Sequence, residues 1–158
     1  VLVPENAKTN LLLGTSNDMT YILPFSDRVL GELMASGNGE ELDSLYQELS
    51  ENYSPDTATF MYEAIDEAIS ILKTNEDKLK DYSPAIVVLS DGRANGPMDF
   101  DSLNESYQSL GYDVPIFSIL FGDARKDDLE EIATMSKARV FDGRSDMIKA
   151  FQNVKGYN

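Results

Sequence analysis

Residues 84–96, PAIVVLSDGRANG, constrain this chain more than any other stretch. Ile86, Val87, Val88 and Leu89 form an apolar, mostly β-branched run. It gives way at once to Ser90, Asp91, Gly92, Arg93 and Asn95. An apolar run of this length, bounded by turn residues, reads as a strand buried on both faces. Such strands belong to parallel sheets, and open parallel sheets hold their ligands at the carboxyl ends of the strands. Asp91 stands at that end. Gly92 and Gly96 let the backbone turn tightly beside it.

The flanking chain supplies the partners such a strand needs. Residues 4–13, PENAKTNLLL, read as the end of a helix. Tyr21–Phe25 reads as a short strand, with Pro24 placing it at a strand end or sheet edge. Ser26, Asp27 and Arg28 turn the chain with a local ion pair, and Val29–Ala35 reads as a further short strand. Leu42, Leu45, Tyr46 and Leu49 share one face of a helix over 38–50. Met61, Ala64, Ile65, Ala68, Ile69 and Leu72 keep helical spacing over three turns, with Asp56 or Thr57 as the expected N-cap. Phe100, Leu103, Tyr107 and Leu110 mark another helix. Val114–Phe121, VPIFSILF, is a second strongly apolar strand. Leu129, Ile132 and Ala133 mark the next helix, Arg139–Phe141 a short strand, and Met147, Ile148, Phe151 and Val154 a final helix capped by Ser145. Strands alternating with helices predict βαβ units: an α/β, doubly wound, mostly parallel sheet with helices on both faces and right-handed crossovers.

Composition narrows the chemistry. The chain has 158 residues, enough for one domain, and there is no internal repeat or linker. Folding at that size buries roughly 70% of the unfolded chain's surface. There is no cysteine and no histidine. That removes disulfides, thiolate and imidazole metal sites, and nucleophile–histidine triads. With 28 acidic and 13 basic residues the net charge is −15. Such a field repels nucleic-acid phosphates and anionic membranes, attracts cations and favours solubility. No apolar stretch approaches the ~20 residues that cross a bilayer. No signal peptide is visible at Val1, and the absence of an initiator methionine there reads as a mature or trimmed piece.

Two oxygen-bearing side chains are candidates for a site. Asp91, at the end of a buried strand, is placed to hold a hard divalent cation, which takes oxygen ligands. It equally suits a turn-capping role through its own backbone hydrogen bonds. Thr59, near a helix N-terminus, is a cap or a hydroxyl ligand to Mg²⁺. The run Asp123, Arg125, Asp127 and Asp128 reads as a solvated helix start, its acids suited to the helix dipole. There is no phosphate-binding G-x-x-x-x-G-K-[ST], no G-x-G-x-x-G and no nucleophile paired with a base.

The segments ILPFSDRV (22–29), DTATFMYEAIDEA (56–68), IVVLSDGRAN (86–95) and VPIFSILFG (114–122) together resemble a von Willebrand factor type A domain of bacterial type. SDGRAN after an apolar strand and T-x-x-Y-E-A-I at Thr59–Ile65 carry most of the likeness. VLVPENAKTNLLLG is similar to the end of the family's first helix. The resemblance implies a metal-ion-dependent adhesion site above the sheet. There Mg²⁺, or Mn²⁺ or Ca²⁺ in its place, takes its last ligand from an acidic group of a protein partner. On that pattern Thr59 is the threonine ligand and Asp91 the aspartate, directly or through water.

The family's D-x-S-x-S loop does not occur in this chain. By the resemblance, residues 1–158 form a single domain that is N-terminally incomplete, lacking the central strand that carries this loop, either as a trimmed piece or as a variant of the domain that has lost the site. Two ligands alone are expected to hold Mg²⁺ poorly. The strands at 20–25 and 85–90 are then expected to have open edges, inviting strand exchange or self-association. The expected function is a non-enzymatic adhesion or assembly module gripping a protein through a cation. The alternatives are a metal-independent scaffold of the same fold and a metal-dependent hydrolase centred on Asp91. The acidic surface and lack of cysteine fit an extracytoplasmic bacterial domain, or a cytoplasmic one.

Overall fold

Ile116–Leu120 is the strand on which the two layers of the core meet, and all five of its residues are buried. Side chains alternate across a strand, so one sequence serves two faces. Ile116 and Leu120 join one cluster; Phe117 and Ile119 join a second on the opposite face. Each fully buried isoleucine or leucine contributes about 1.5–3 kcal/mol relative to exposure.

A computed structural model describes residues 18–36, 44, 48, 58–91, 93–122, 126–145, 149–150 and 153–154. Five strands and four helices are bounded within it. They run β1 (Met19–Ile22), β2 (Leu33–Ser36), α1 (Met61–Thr74), α2 (Glu76–Leu79), β3 (Ile86–Ser90), α3 (Phe100–Gln108), β4 (Ile116–Leu120), α4 (Lys126–Met135) and β5 (Val140–Asp142). Among the described residues, β3, β4 and β5 form a parallel sheet in that spatial order. Its register sets Ile86 opposite Ile116 and Ser118 opposite Val140. β1 and β2 pair antiparallel as a separate two-stranded sheet, with Met19 opposite Ser36.

One face of the parallel sheet is covered by α1, α3 and α4. Met61, Ile65 and Ile69 of α1 pack with Leu103 and Tyr107 of α3 and with Leu129 and Ile132 of α4, around Val88, Ile116 and Leu120. On the other face Phe117 and Ile119 meet Ala150 and Val154, which are helical residues of the chain's last stretch. Helices on both faces of a parallel sheet are the α/β architecture expected from the alternation of elements.

Several local expectations need correction. The run 86–89 reads as buried on both faces, yet Val87 is 40% exposed. Among the described residues β3 pairs only with β4, so it is an edge strand and β4 is the central one. The first strand is Met19–Ile22 rather than 21–25; Phe25 instead bridges Val29 across the Ser26 turn. α1 starts from Phe60, which makes no side-chain cap, so neither Asp56 nor Thr57 is its N-cap. α3 has a cap that composition did not single out: the Asp99 carboxylate accepts from the Ser102 amide at 2.9 Å. The helix read at 4–13 lies outside the described residues. Of the helix read at 38–50, Ser44 and Glu48 are described, and both are helical.

Candidate functional site

The site is built from the carboxyl ends of β3 and β4 and from the turn that enters α1. Ser90 ends β3 with 4% exposure, and the exposed Asp91 follows it. The chain then leaves the sheet and runs along the N-terminal end of α1. Gly122 follows β4 with a left-handed φ of +55° and packs directly on Asp91.

Thr59 is held against the loop that Asp91 opens. Its amide donates to the Asn95 side-chain Oδ1 at 2.8 Å, and the Asn95 amide donates back to the Thr59 carbonyl at 3.1 Å. Two reciprocal bonds thus join residues 36 apart in sequence. The next residue, Phe60, donates its amide to the Ser26 carbonyl at 2.7 Å. Ser26 is buried within its own turn, where the Asp27 carboxylate pairs with Arg28 at 2.9 Å, the local ion pair expected from SDR. The Ser26 turn, the Thr59 turn and the Asp91 loop therefore lie side by side. Thr59 and Asp91, the two expected ligands, belong to adjoining loops of one end of the fold.

Two acidic side chains fasten the Asp91 loop from outside it. Asp128, in the first turn of α4, accepts from the Ala94 amide at 3.3 Å. Glu63, in the first turn of α1, accepts from the Met98 amide through Oε1 at 2.8 Å. Charged–neutral bonds of this kind are stronger than neutral ones. Asp128 is thus no part of a merely solvated helix start; Asp123 and Arg125 of the same run lie outside the described residues. Asp128 and Glu131 also act on Tyr62. Burial first, and then these two negative charges, push the Tyr62 phenol up to about 12. The Tyr62 ring meets Phe100 edge-on, with centroids 6.1 Å apart.

The sequence assigns no site role to Asn95 or Glu63, and it reads Asp128 only as an acid of a helix start. A signal existed for Asn95, an amide side chain in a turn-rich loop, since such residues bond nearby backbone. For Glu63 and Asp128 the partner amides are 35 and 34 residues away, beyond any local pattern. Hard oxygen donors such as Thr59 and Asp91 suit Mg²⁺ or Ca²⁺. Among the described residues, no group of three or more acidic side chains converges closely enough to hold a metal ion.

A sequence profile of the von Willebrand factor type A domain matches residues 6–154. No curated protein sequence matches the chain. A crystal structure described as an uncharacterized membrane spanning protein from Vibrio fischeri aligns with a TM-score of 0.43 at 15% identity, over 91% of this chain and 78% of that one. In this chain, among the described residues, no helix is long and apolar enough to cross a membrane. With nearly its whole length matched and a parallel α/β sheet to go with it, this chain belongs to the von Willebrand factor type A domain family.

Proposed function

We propose that this domain grips a protein partner through a divalent cation at the loop end of its sheet, with Thr59 and Asp91 among the ligands. Domains of this family are in general non-enzymatic modules for protein interaction. The observation that carries the finer reading is the reciprocal pair between Thr59 and Asn95, which ties the hydroxyl-bearing turn to the loop headed by the carboxylate. An acidic group of the partner supplies a further oxygen. The net charge of −15 draws cations towards the molecule and leaves a bound ion as the natural bridge to an acidic partner. An extracytoplasmic setting suits a cysteine-free acidic domain. The edges of β1 and β3 that have no strand neighbour among the described residues offer a second route to a partner, by strand addition.

Isothermal titration with Mg²⁺ and Mn²⁺ tests the cation reading. Weak binding of Mn²⁺ is expected, reduced by Thr59→Val and lost in Asp91→Ala. Binding undiminished in both variants, or no binding to the unaltered protein, overturns it. A metal-independent scaffold is the second reading, favoured by the lack of a three-acid cluster among the described residues. The same titration separates the two.

A further inference from the structure

We infer that Glu63 is a positioning residue that sets the path of the Asp91 loop relative to the Thr59 turn. The inference deepens the cation reading above and rests on it for its functional consequence. Its structural part stands on three separate observations.

First, Glu63 sits in the first turn of α1, four residues after Thr59, so its backbone is rigidly related to the Thr59 turn. Second, its Oε1 accepts from the Met98 amide at 2.8 Å, which fixes the far end of the loop that starts at Asp91. The reciprocal Thr59–Asn95 bonds fasten the same loop three residues earlier. The loop is thereby held at two points by one short stretch of chain. Third, the fit is close. A β-carbon on Gly96 would stand 2.3 Å from Glu63 Oε1 and 2.4 Å from Oε2, so no side chain fits at Gly96 while the carboxylate keeps its place. Glycine at that position answers to space, since its φ is not left-handed.

The second oxygen explains why this is a placement and not only a bond. Oε2 is buried and takes no hydrogen bond among the described residues. A buried acceptor without a partner is unfavourable. The positive end of the α1 dipole offsets part of that cost. The bond from the Met98 amide to Oε1 is what accompanies this placement of Oε2, and it serves the 96–98 backbone and not α1 itself.

The test uses the whole chain, with Glu63→Ala, Glu63→Gln, Gly96→Ala and the double variant Glu63→Ala/Gly96→Ala. Amide exchange is read at Met98 and Asn95, with Ile119 in the sheet as the control. Glu63→Ala is expected to speed exchange at Met98 and Asn95 about tenfold while leaving Ile119 unchanged. Glu63→Gln keeps an acceptor oxygen and is expected to restore slow exchange at Met98. Gly96→Ala alone is expected to lower the thermal midpoint, and to lower it less in the Glu63→Ala background, where the clash is gone. Mn²⁺ affinity is expected to fall several-fold in Glu63→Ala and recover in Glu63→Gln.

Unchanged exchange at Met98, equal acceleration at Ile119, or additive Gly96 and Glu63 effects overturns the inference. Should the unaltered protein bind no Mn²⁺, the cation reading falls by itself. The exchange and double-variant results still decide the role of Glu63. Should Mn²⁺ binding survive unaltered in Glu63→Ala despite a loosened loop, the functional half of the inference falls and the cation reading stands.

Discussion

Gly122 lies so close against Asp91 that a β-carbon on it would stand 2.9 Å from the Asp91 β-carbon. The contact joins the ends of β3 and β4, which are paired neighbours in the sheet. Gly122 also holds a φ of +55°. Two constraints therefore fall on one residue, and they add. Gly122→Ala places a side chain in a left-handed conformation, at a cost of about 1–3 kcal/mol, and also pushes on Asp91. Urea unfolding is expected to show a lower midpoint with an unchanged slope. An unchanged midpoint would mean that the two loops can separate freely.

Asn95 presents a sharper test of how the Thr59 turn is held. Asn95→Ala removes the acceptor of the Thr59 amide and leaves the return bond from the Asn95 backbone intact. The expected loss is about 0.5–1.5 kcal/mol, with faster exchange of the Thr59 amide. Asn95→Asp keeps an acceptor oxygen and is expected to lose less. Equal losses in the two variants would show that neither the bulk nor the acceptor oxygen of the side chain is what holds the Thr59 turn.

The elements of the parallel sheet were legible in the sequence because burial leaves a composition trace. The VPIFSILF run becomes β4, and its unbroken apolar character matches a strand covered on both sides. The IVVL run looks the same in sequence, yet Val87 is 40% exposed. Apolarity reports what a strand can bury, whereas exposure depends on which neighbours it finds. The α1 repeat of Met61, Ile65 and Ile69 was likewise readable, while its beginning was not. Propensity favours Asp56 or Thr57 as a cap, but the Phe60 amide is satisfied by the Ser26 carbonyl, a tertiary partner no local rule foresees. At the candidate site, Thr59 and Asp91 were nameable from motif, and the side chains that hold them in place were not. Asn95, Glu63 and Asp128 act across 34–36 residues of sequence, through backbone amides that carry no residue identity.

Acid sensitivity is expected from Asp142, at the end of β5. Hydrogen bonds from Arg144, through its guanidinium and its amide, lower the Asp142 carboxyl from 3.8 to about 2. The folded state thus binds this proton more weakly than the unfolded state. The stabilisation is fully present above pH 4 or so, and is lost as pH falls through about 2. The pair is exposed, so the effect is modest and shrinks with salt. Asp142→Asn is expected to be less stable than the unaltered protein at neutral pH, with the gap closing between about pH 4 and 2. Urea midpoints across that range measure it; a gap that stays constant would place the source of acid sensitivity elsewhere.

Tyr62 contributes sensitivity on the alkaline side. Its phenol ionises at about 12 in the fold against 10.0 ordinarily, because the site is buried and faces Asp128 and Glu131. A raised folded value means that the stabilisation is complete below pH 10 and drains away as pH climbs towards about 12. Tyr62→Phe keeps the ring against Phe100 and removes the ionisation. Stability of this variant is expected to decline less steeply above pH 10 than that of the unaltered protein. Equal slopes would show that the Tyr62 phenol ionises as easily in the fold as in the unfolded chain.

Ser136 offers a prediction in the core, away from the loops. It is 2% exposed, beyond the C-terminal end of α4, and its hydroxyl serves two elements. Oγ accepts from the Ile116 amide at 3.0 Å and donates to the Ile132 carbonyl at 3.0 Å. The Ile116 amide opens β4, the central strand, and is itself buried. Removing the hydroxyl therefore leaves a backbone donor with no partner in a site that water does not reach, which is the costly kind of loss. The Ile132 carbonyl loses less, since an acceptor already bonded within its helix tolerates a missing second donor. Ser136→Ala is expected to destabilise the fold by about 1–3 kcal/mol and to speed exchange of the Ile116 amide. The loop contact between Gly122 and Asp91, at the other end of β4, should be untouched, because the bonds of Ser136 go to Ile116 and Ile132. A neutral effect on stability would mean that α4 and β4 adjust to one another enough to give the Ile116 amide a new acceptor.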